Sequence, residues 1–352
     1  MRGSRIRFEN VSKSFGATVA LSEFNLDIEP GEFVTLLGAS GSGKSTALNI
    51  LAGFSEATSG DVYIDNRPLN GVAPEHRNIG MVFQNFALFP HKTVAENVAF
   101  PLRMRKVPKE EIARKVKEAL AMVRLEGYAE RKPQELSGGQ RQRVALARAV
   151  VFEPPVLLMD ECLSALDPKL REELQEEIRS IHKSINTTVL FVTHDQSEAL
   201  TLSDRIAILQ GGKIVQVDTP VSLYDRPKTR FVADFIGQSN IFDLSVITNG
   251  RADIPEMSLD IPMANPEATA ISLRPECISF AKGHEGDDQT TFEGTVHDEV
   301  FFGPVLSQSV RLNTGRIIEV RCPRSTREER PRVGETVKLA FNNEDAVPLL
   351  AD

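Results

Sequence analysis

Residues Gly38 to Thr46 read GASGSGKST, and the reading of this stretch decides the fold. Gly38, Gly43, Lys44 and Ser45 occupy the fixed positions of G-x-x-x-x-G-K-[ST]. That spacing serves phosphate. Glycines let backbone N–H groups turn inward around the α and β phosphates, and the helix that follows offers its positive end. Lys44 then reaches the β and γ phosphates and the Ser45 hydroxyl serves Mg²⁺, with Ala39, Ser40, Gly41, Ser42 and Thr46 completing the cradle. Phe33-Val34-Thr35-Leu36-Leu37 predicts a buried strand entering the loop, and Thr46 to Leu51 predicts a helix leaving it. A chance Gly/Ser turn would lack these flanks, so the residues predict phosphate binding in an α/β fold.

The rest of the chain bounds the possibilities. Its 352 residues suffice for two domains. No run approaches the apolar length that spans a bilayer. The N-terminus, MRGSRIRFENVSKSF, has no apolar h-region, so no secretory signal is expected. A net charge of −8 argues against a general nucleic-acid binder. Cys162, Cys277 and Cys322 lie far apart without CxxC spacing, which predicts neither a disulfide framework nor a zinc site and makes a reducing cytoplasm the simplest compartment.

Taken in order, Ile6 to Ile28 predicts two strands around a turn, with Phe8, Val11, Val19, Leu21, Phe24, Leu26 and Ile28 as core candidates. Phe15 precedes Gly16 at the turn and suits either core packing or stacking on an adenine base. Ile79 to Phe83 predicts a buried strand ending at Gln84, whose side-chain carbonyl suits Mg²⁺ or a water as well as a solvated loop. Thr93–Met104 and Pro108–Leu125 predict helices. Phe86, Leu88, Phe89 and Pro90 are either a docking patch or a small core.

Leu136-Ser137-Gly138-Gly139-Gln140 precedes another helix, with Ser137 as its N-cap. Two glycines at a helix start permit close backbone approach to an anion, a second phosphate-type site in one chain. Pro155 to Met159 predicts a buried strand ending in Asp160-Glu161. Asp160 suits Mg²⁺ held through its water shell, and Glu161 suits polarising an attacking water. Ser164-Ala165-Leu166-Asp167 follows, then a helix from Pro168. Thr188 to Val192 predicts a further strand, ending in Thr193-His194-Asp195, where His194 can donate to a γ-phosphate oxygen. His76, His91, His182, His284 and His297 lack such a setting. These strand ends collect at one edge of a parallel sheet, where ligands bind. Gly211-Gly212 predicts a hairpin, and residues up to about Asn240 a connector. Beyond lie short strands with turns at Asn249-Gly250, Gly294, Gly303 and Asn313-Thr314-Gly315, which predicts a small β-barrel or sandwich.

This set of motifs, in this order, resembles the ATP-binding subunits of ABC transporters, densely from about residue 5 to 240. GASGSGKST resembles the Walker A loop, Gln84 the Q-loop, LSGGQ the family signature, VLLMDE the Walker B strand, SALD the D-loop, His194 the switch histidine and Phe15 the aromatic A-loop position that stacks on adenine. The resemblance implies a P-loop ABC ATPase domain over residues 1–240, with a RecA-like core and a helical subdomain at about 86–155. It implies a head-to-tail homodimer with ATP between Walker A of one copy and Ser137, Gly138, Gly139 and Gln140 of the other. Glu161 is then the general base, Lys44 and His194 stabilise the transition state, and Ser45, Gln84 and Asp160 serve Mg²⁺. The chain departs from the family in one place: Cys162 stands where proline usually follows the Walker B glutamate. Cysteine frees the backbone and adds an N–H donor, so an altered turn or a redox-sensitive site is expected.

Ser272-Leu273-Arg274-Pro275-Glu276 resembles a motif of the TOBE domain, implying a small all-β, OB-like regulatory domain over residues 241–352. AENVAFPLRMR and FIGQSNIF are most similar to polyamine (spermidine/putrescine) import cassettes, although iron(III), sugar, sulfate and aminophosphonate import ATPases share most of these features. The resemblance further implies an import ATPase at the cytoplasmic face of the inner membrane, held peripherally by permease subunits that receive substrate from a periplasmic or surface binding protein. A soluble ABC ATPase acting on DNA or ribosomes is the rival class. It would carry a long coiled-coil insertion or a second cassette, and the chain shows neither.

Overall fold

A computed structural model describes residues 3–164, 167–248, 250–263, 265–281, 288–323 and 331–351. Met1, Arg2, Ala165, Leu166, Asn249, Ala264, 282–287, 324–330 and Asp352 lie outside the described residues, and with them the middle of the SALD segment, Asn249 of a predicted turn, and His284. The chain divides into two compact units, Met1–Pro220 and Val221–Asp352.

The first unit carries two sheets. Strands β1 (Ile6–Phe15) and β2 (Thr18–Ile28) form an antiparallel hairpin, which β4 (Ser59–Ile64) and β5 (Arg67–Pro68) extend in the order β2-β1-β4-β5. Phe8, Val11, Leu21, Phe24, Leu26 and Ile28 are buried as expected. Val19 is not: it stands 57% exposed beside the turn, where the hairpin tip projects beyond the core. The second sheet contains β3 (Phe33–Leu37), β6 (Ile79–Val82), β7 (Val156–Asp160), β8 (Thr188–Thr193), β9 (Arg205–Gln210) and β10 (Lys213–Asp218), in the order β10-β9-β3-β8-β7-β6. All pairs but β9–β10 are parallel. Strands β3 and β8 are buried at every residue, as near-continuous apolar runs require when helices cover both faces. The register sets Leu37 beside Thr193 and Asp160 beside Val192, so the strands release their polar termini at one sheet edge.

Helix α1 (Lys44–Ala52) leaves the phosphate loop. Helices α2 (Val94–Met104), α3 (Lys109–Met122) and α4 (Gly138–Val150) lie between β6 and β7 in sequence. Thr93 and Glu96 form a reciprocal capping box on α2. Helix α5 (Pro168–Ile185) starts from Asp167, whose carboxylate accepts from the Leu170 N–H, and it buries Leu174, Ile178 and Ile181. Burying each of these contributes about 1.5–3 kcal/mol relative to exposure. Helix α6 (Gln196–Leu202) had no counterpart in the sequence reading.

In the second unit, strands Gln289–Phe302, Val305–Leu312, Ile317–Pro323, Thr336–Asn342 and Ser279–Phe280 build a five-stranded antiparallel sheet, accompanied by two three-stranded sheets. Gly303 and Gly315 sit in turns as expected. Gly294 does not: it lies within the first of these strands, pressed against Val310 of the next. The connector expected to run to Asn240 belongs to this unit. Its helices, Pro220–Asp225 and Arg230–Phe235, are joined to the β-structure by the buried Arg274, which donates to the carbonyls of Tyr224, Ala233 and Gln238 and stacks on the Tyr224 ring. The two compact units part at Pro220, about twenty residues before the domain boundary expected at 240.

Arg77 plays a comparable part in the first unit. Its buried guanidinium donates to the carbonyls of Ile50 and Leu51 at the end of α1, at 2.7 and 2.8 Å, and to those of Leu69 and Val72 at 2.9 and 2.8 Å. Arg77→Met strands these acceptors in the interior. The expected cost is about 2–4 kcal/mol of stability, read as a lower urea midpoint at unchanged slope.

Candidate functional site

The phosphate loop connects β3 to α1 through Gly43, whose φ of 103° lies in the left-handed region. A Cβ there would come within 2.5 Å of the Ala20 carbonyl on β2. Gly212, at the β9–β10 turn, donates its N–H to Ser42 O at 3.2 Å. The β1–β2 hairpin and the β9–β10 hairpin thus brace the loop. The Ser42 hydroxyl is buried and, among the described residues, has no hydrogen-bond partner, a donor suited to an anion's oxygen. Lys44 is 4% exposed, and its ammonium donates to the carbonyls of Gly38 and Ala39, both at 2.8 Å. Burial lowers its pKa, while Glu161 and Asp160 act in the opposite direction. Phe15 stands at the hairpin tip, 56% exposed, with the Lys13 ammonium 4.9 Å from its ring centre. It is not a core residue, and its ring is open to stacking.

The ends of β6, β7 and β8 supply the polar cluster. Burial raises the pKa of Asp160, reinforced by Glu161 and opposed by Lys44. Glu161 adopts φ 39°, a left-handed conformation that costs a non-glycine residue about 1–3 kcal/mol. Two bonds hold it there: its N–H donates to Val192 O at 2.9 Å, and its own carbonyl accepts from the Ser164 hydroxyl at 2.9 Å. The result is a carboxylate touched from both sides. His194 Nδ1 lies 3.3 Å from Oε1, and the Gln84 amide donates to Oε2 at 3.3 Å. Gln84 spends its nitrogen on Glu161, so its side-chain carbonyl oxygen takes no part in that bond.

Ser137 to Gln140 are organised differently. Ser137 Oγ accepts from the Gln140 N–H at 3.3 Å, and Gln140 Oε1 accepts from the Ser137 N–H at 3.0 Å, a closed capping box at the start of α4. Among the described residues, none of their hydrogen bonds reaches the phosphate loop of the same chain. A Cβ on Gly139 would lie 2.5 Å from the Leu170 side chain, so this glycine also serves the packing of α4 on α5.

The Phe86–Pro90 stretch is in part a small core and in part the lining of a groove. Phe86 and Leu88 pack on the core. The Phe89 ring meets that of Phe100 at a tilt of 52°, with ring centres 4.6 Å apart, and lines a groove of about 820 Å³ with Phe83, Phe100, Met104 and Phe152. Arg148 on α4 donates to the carbonyls of Phe86 and Ala87 at 2.9 and 2.8 Å. The sequence reading missed Arg148, because an arginine on a helix usually reads as solvated. It also missed the group around Asp195, although aspartate followed by glutamate three residues later is a helix-start signature.

Cys162 is 1% exposed and belongs to the apolar core that includes Met159 and Leu163. Burial, with Glu198 nearby, drives its thiol pKa far upward. The thiolate is the reactive species, so burial and the raised pKa both speak against the expected redox sensitivity in the folded protein.

A glycine phosphate loop, a strand-terminal acid pair and a histidine at one edge of a parallel sheet define a P-loop nucleotide hydrolase. The ABC transporter family profile matches residues 21–164, and the TOBE domain profile matches residues 271–349. The chain is 46% identical over 318 residues to the spermidine/putrescine import ATP-binding protein PotA of Haemophilus ducreyi, covering 88% of this chain and 86% of that protein. Among solved structures it is similar to the ATP-binding cassette MJ0796 in a dimeric post-hydrolysis state bound to ADP and Pi, with 38% identity and a TM-score of 0.56 over 61% of this chain and 98% of that one. It is also similar to cbiO1 from Clostridium perfringens, part of the ABC transporter complex cbiONQ, with 29% identity and a TM-score of 0.58 over 62% and 89% of the two chains. The chain belongs to the ATP-binding subunits of ABC transporters, with a C-terminal TOBE domain, and it is an ATPase.

The burial of Cys162 has a direct test. Iodoacetamide at pH 8 is expected to leave Cys162 unmodified in folded protein and to alkylate it fully in 6 M guanidinium, as read by peptide mass spectrometry. Labelling of Cys162 in the folded protein at the rate of an exposed thiol would contradict the assignment.

Proposed function

We propose that this chain energises the import of polyamines, spermidine or putrescine, by hydrolysing ATP as one of a head-to-tail pair of ATPase subunits. The hydrolytic assignment rests on the Glu161 carboxylate, held at the sheet edge between His194 and Gln84. The backbone N–H groups of residues 38–46 cradle the phosphates, Lys44 neutralises charge at the β and γ positions, and Phe15 stacks on the adenine. The Ser137–Gln140 turn of the partner subunit closes over the γ-phosphate, which explains a second anion-type motif with no bond to its own chain's loop. Glu161 takes a proton from the attacking water, and His194 donates to the γ-phosphate oxygens as charge builds on them.

Ser45, Gln84 and Asp160 offer only oxygen donors, the set a hard cation such as Mg²⁺ prefers. Among the described residues no cluster of three or more His, Cys, Asp or Glu holds a metal by itself, which suits an ion completed by phosphate oxygens and water. Bound there, Mg²⁺ neutralises the triphosphate.

No helix among the described residues is long and apolar enough to cross a membrane. We place the chain at the cytoplasmic face of the membrane, where the groove lined by Phe83, Phe89 and Phe100 receives a helix of a permease subunit and a separate binding protein delivers substrate. The 46% identity to a spermidine/putrescine import protein supports the substrate class.

Glu161→Gln is expected to bind ATP normally, accumulate as a dimer with ATP and hydrolyse about 10² to 10⁴ times more slowly. Hydrolysis at the parent rate would remove Glu161 from the role of base. In cells of the source organism with no second polyamine system, replacing the gene with a Lys44→Ala copy is expected to abolish uptake of labelled putrescine and spermidine. Retained uptake would move the substrate to iron(III), a sugar, sulfate or an aminophosphonate.

A further inference from the structure

One buried carboxylate has no part in the chemistry above. Glu198 on α6 is 0% exposed. Its Oε2 accepts from the Thr193 hydroxyl at 2.6 Å, and the same hydroxyl oxygen accepts from the Asp195 N–H at 3.0 Å. Asp195 Oδ1 in turn accepts from the N–H groups of Ser197 and Glu198 at 2.8 and 3.1 Å and from the Ser197 hydroxyl at 2.7 Å. Both neighbours of His194 in the chain are therefore tied into one cluster, while the histidine side chain itself extends to Glu161. One arginine lies against both acids. Arg171 on α5 donates from Nη1 to Asp195 Oδ2 at 2.9 Å, and its Nε stands 3.7 Å from Glu198 Oε1.

We propose that Arg171 is a positioning residue for His194. Its guanidinium hydrogen-bonds Asp195 and lies at ion-pair distance from Glu198, from a helix that begins at Pro168, a few residues after Glu161 in the chain. It thereby ties the segment carrying the histidine to the segment that follows the base, and fixes the spacing between the two. Lysine, a point charge, cannot reproduce a grip on two carboxylates. The inference rests on the role of His194 proposed above.

The test compares Arg171→Lys in the full chain with the same change in a His194→Ala background. Single-turnover hydrolysis of γ-labelled ATP and equilibrium binding of a fluorescent ATP analogue are measured for each. Misplacement of a reacting group by about 1 Å costs about 10²-fold in rate, so Arg171→Lys is expected to slow turnover about 10- to 100-fold with analogue affinity within about twofold of the parent. In the His194→Ala background it is expected to change the rate by less than about twofold, because the group it positions is gone. If Arg171→Lys does not fold, Arg171→Met with Glu198→Gln removes the cation and the buried carboxyl group together and carries the same expectation. Equal losses in both backgrounds, weakened analogue binding or an unchanged rate would each overturn the proposal. His194→Ala turning over at the parent rate would instead remove the role of His194, and the proposal with it.

Discussion

The carbonyl of Leu209 lies where a Cβ on Gly38 would approach it to 2.6 Å, and the carbonyl of Ala20 lies 2.5 Å from where a Cβ on Gly43 would be. These are backbone atoms of sheet strands, which cannot yield as the end of a flexible side chain would. The phosphate loop is thus shaped by strands pressed against it, and its glycines are dictated as much by what stands behind the loop as by the anion in front. The elements that press on the loop also carry site residues. The β1–β2 hairpin that crowds Gly43 carries Phe15 at its tip, and strand β8, paired with β3 along its whole length, carries His194 at its end.

Charge in the site is balanced rather than merely present. Asp160, Glu161 and Lys44 influence one another: the lysine works against the upward shift of Asp160, and the acids work against the downward shift of the lysine. For Lys44 and Asp160 the opposite charge offsets part of what burial does to each. The strained backbone of Glu161 fits this picture, since the hydrogen bonds to Val192 and Ser164 hold the carboxylate at the edge instead of letting the chain relax.

Much of this was legible in the sequence, for a physical reason. Strands buried on both faces write themselves as unbroken apolar runs, so Phe33–Leu37, Val156–Met159 and Thr188–Val192 announce both the sheet and the polar residues at its edge. Spacing alone left Phe15 open between core and stacking, and the family resemblance had to favour stacking. Side chains that act on backbone carbonyls leave no periodic trace. Arg77 and Arg148 drew no reading in the sequence and Arg274 only one as part of a motif, yet each is buried against carbonyls. Gly294 illustrates the reverse error, since a glycine needed for strand contact looks in sequence like one needed for a turn.

The grip of Arg274 on the connector bears on how such a chain can be divided. A truncation after residue 240 would carry away the helices Pro220–Asp225 and Arg230–Phe235 with the ATPase half, exposing the carbonyls of Tyr224, Ala233 and Gln238 and stripping a buried guanidinium of its acceptors in the other half. A break at Pro220 severs none of these bonds. The C-terminal unit therefore begins about twenty residues before its β-structure, and moving this unit to another protein would keep these bonds only if the helical leader travels with it.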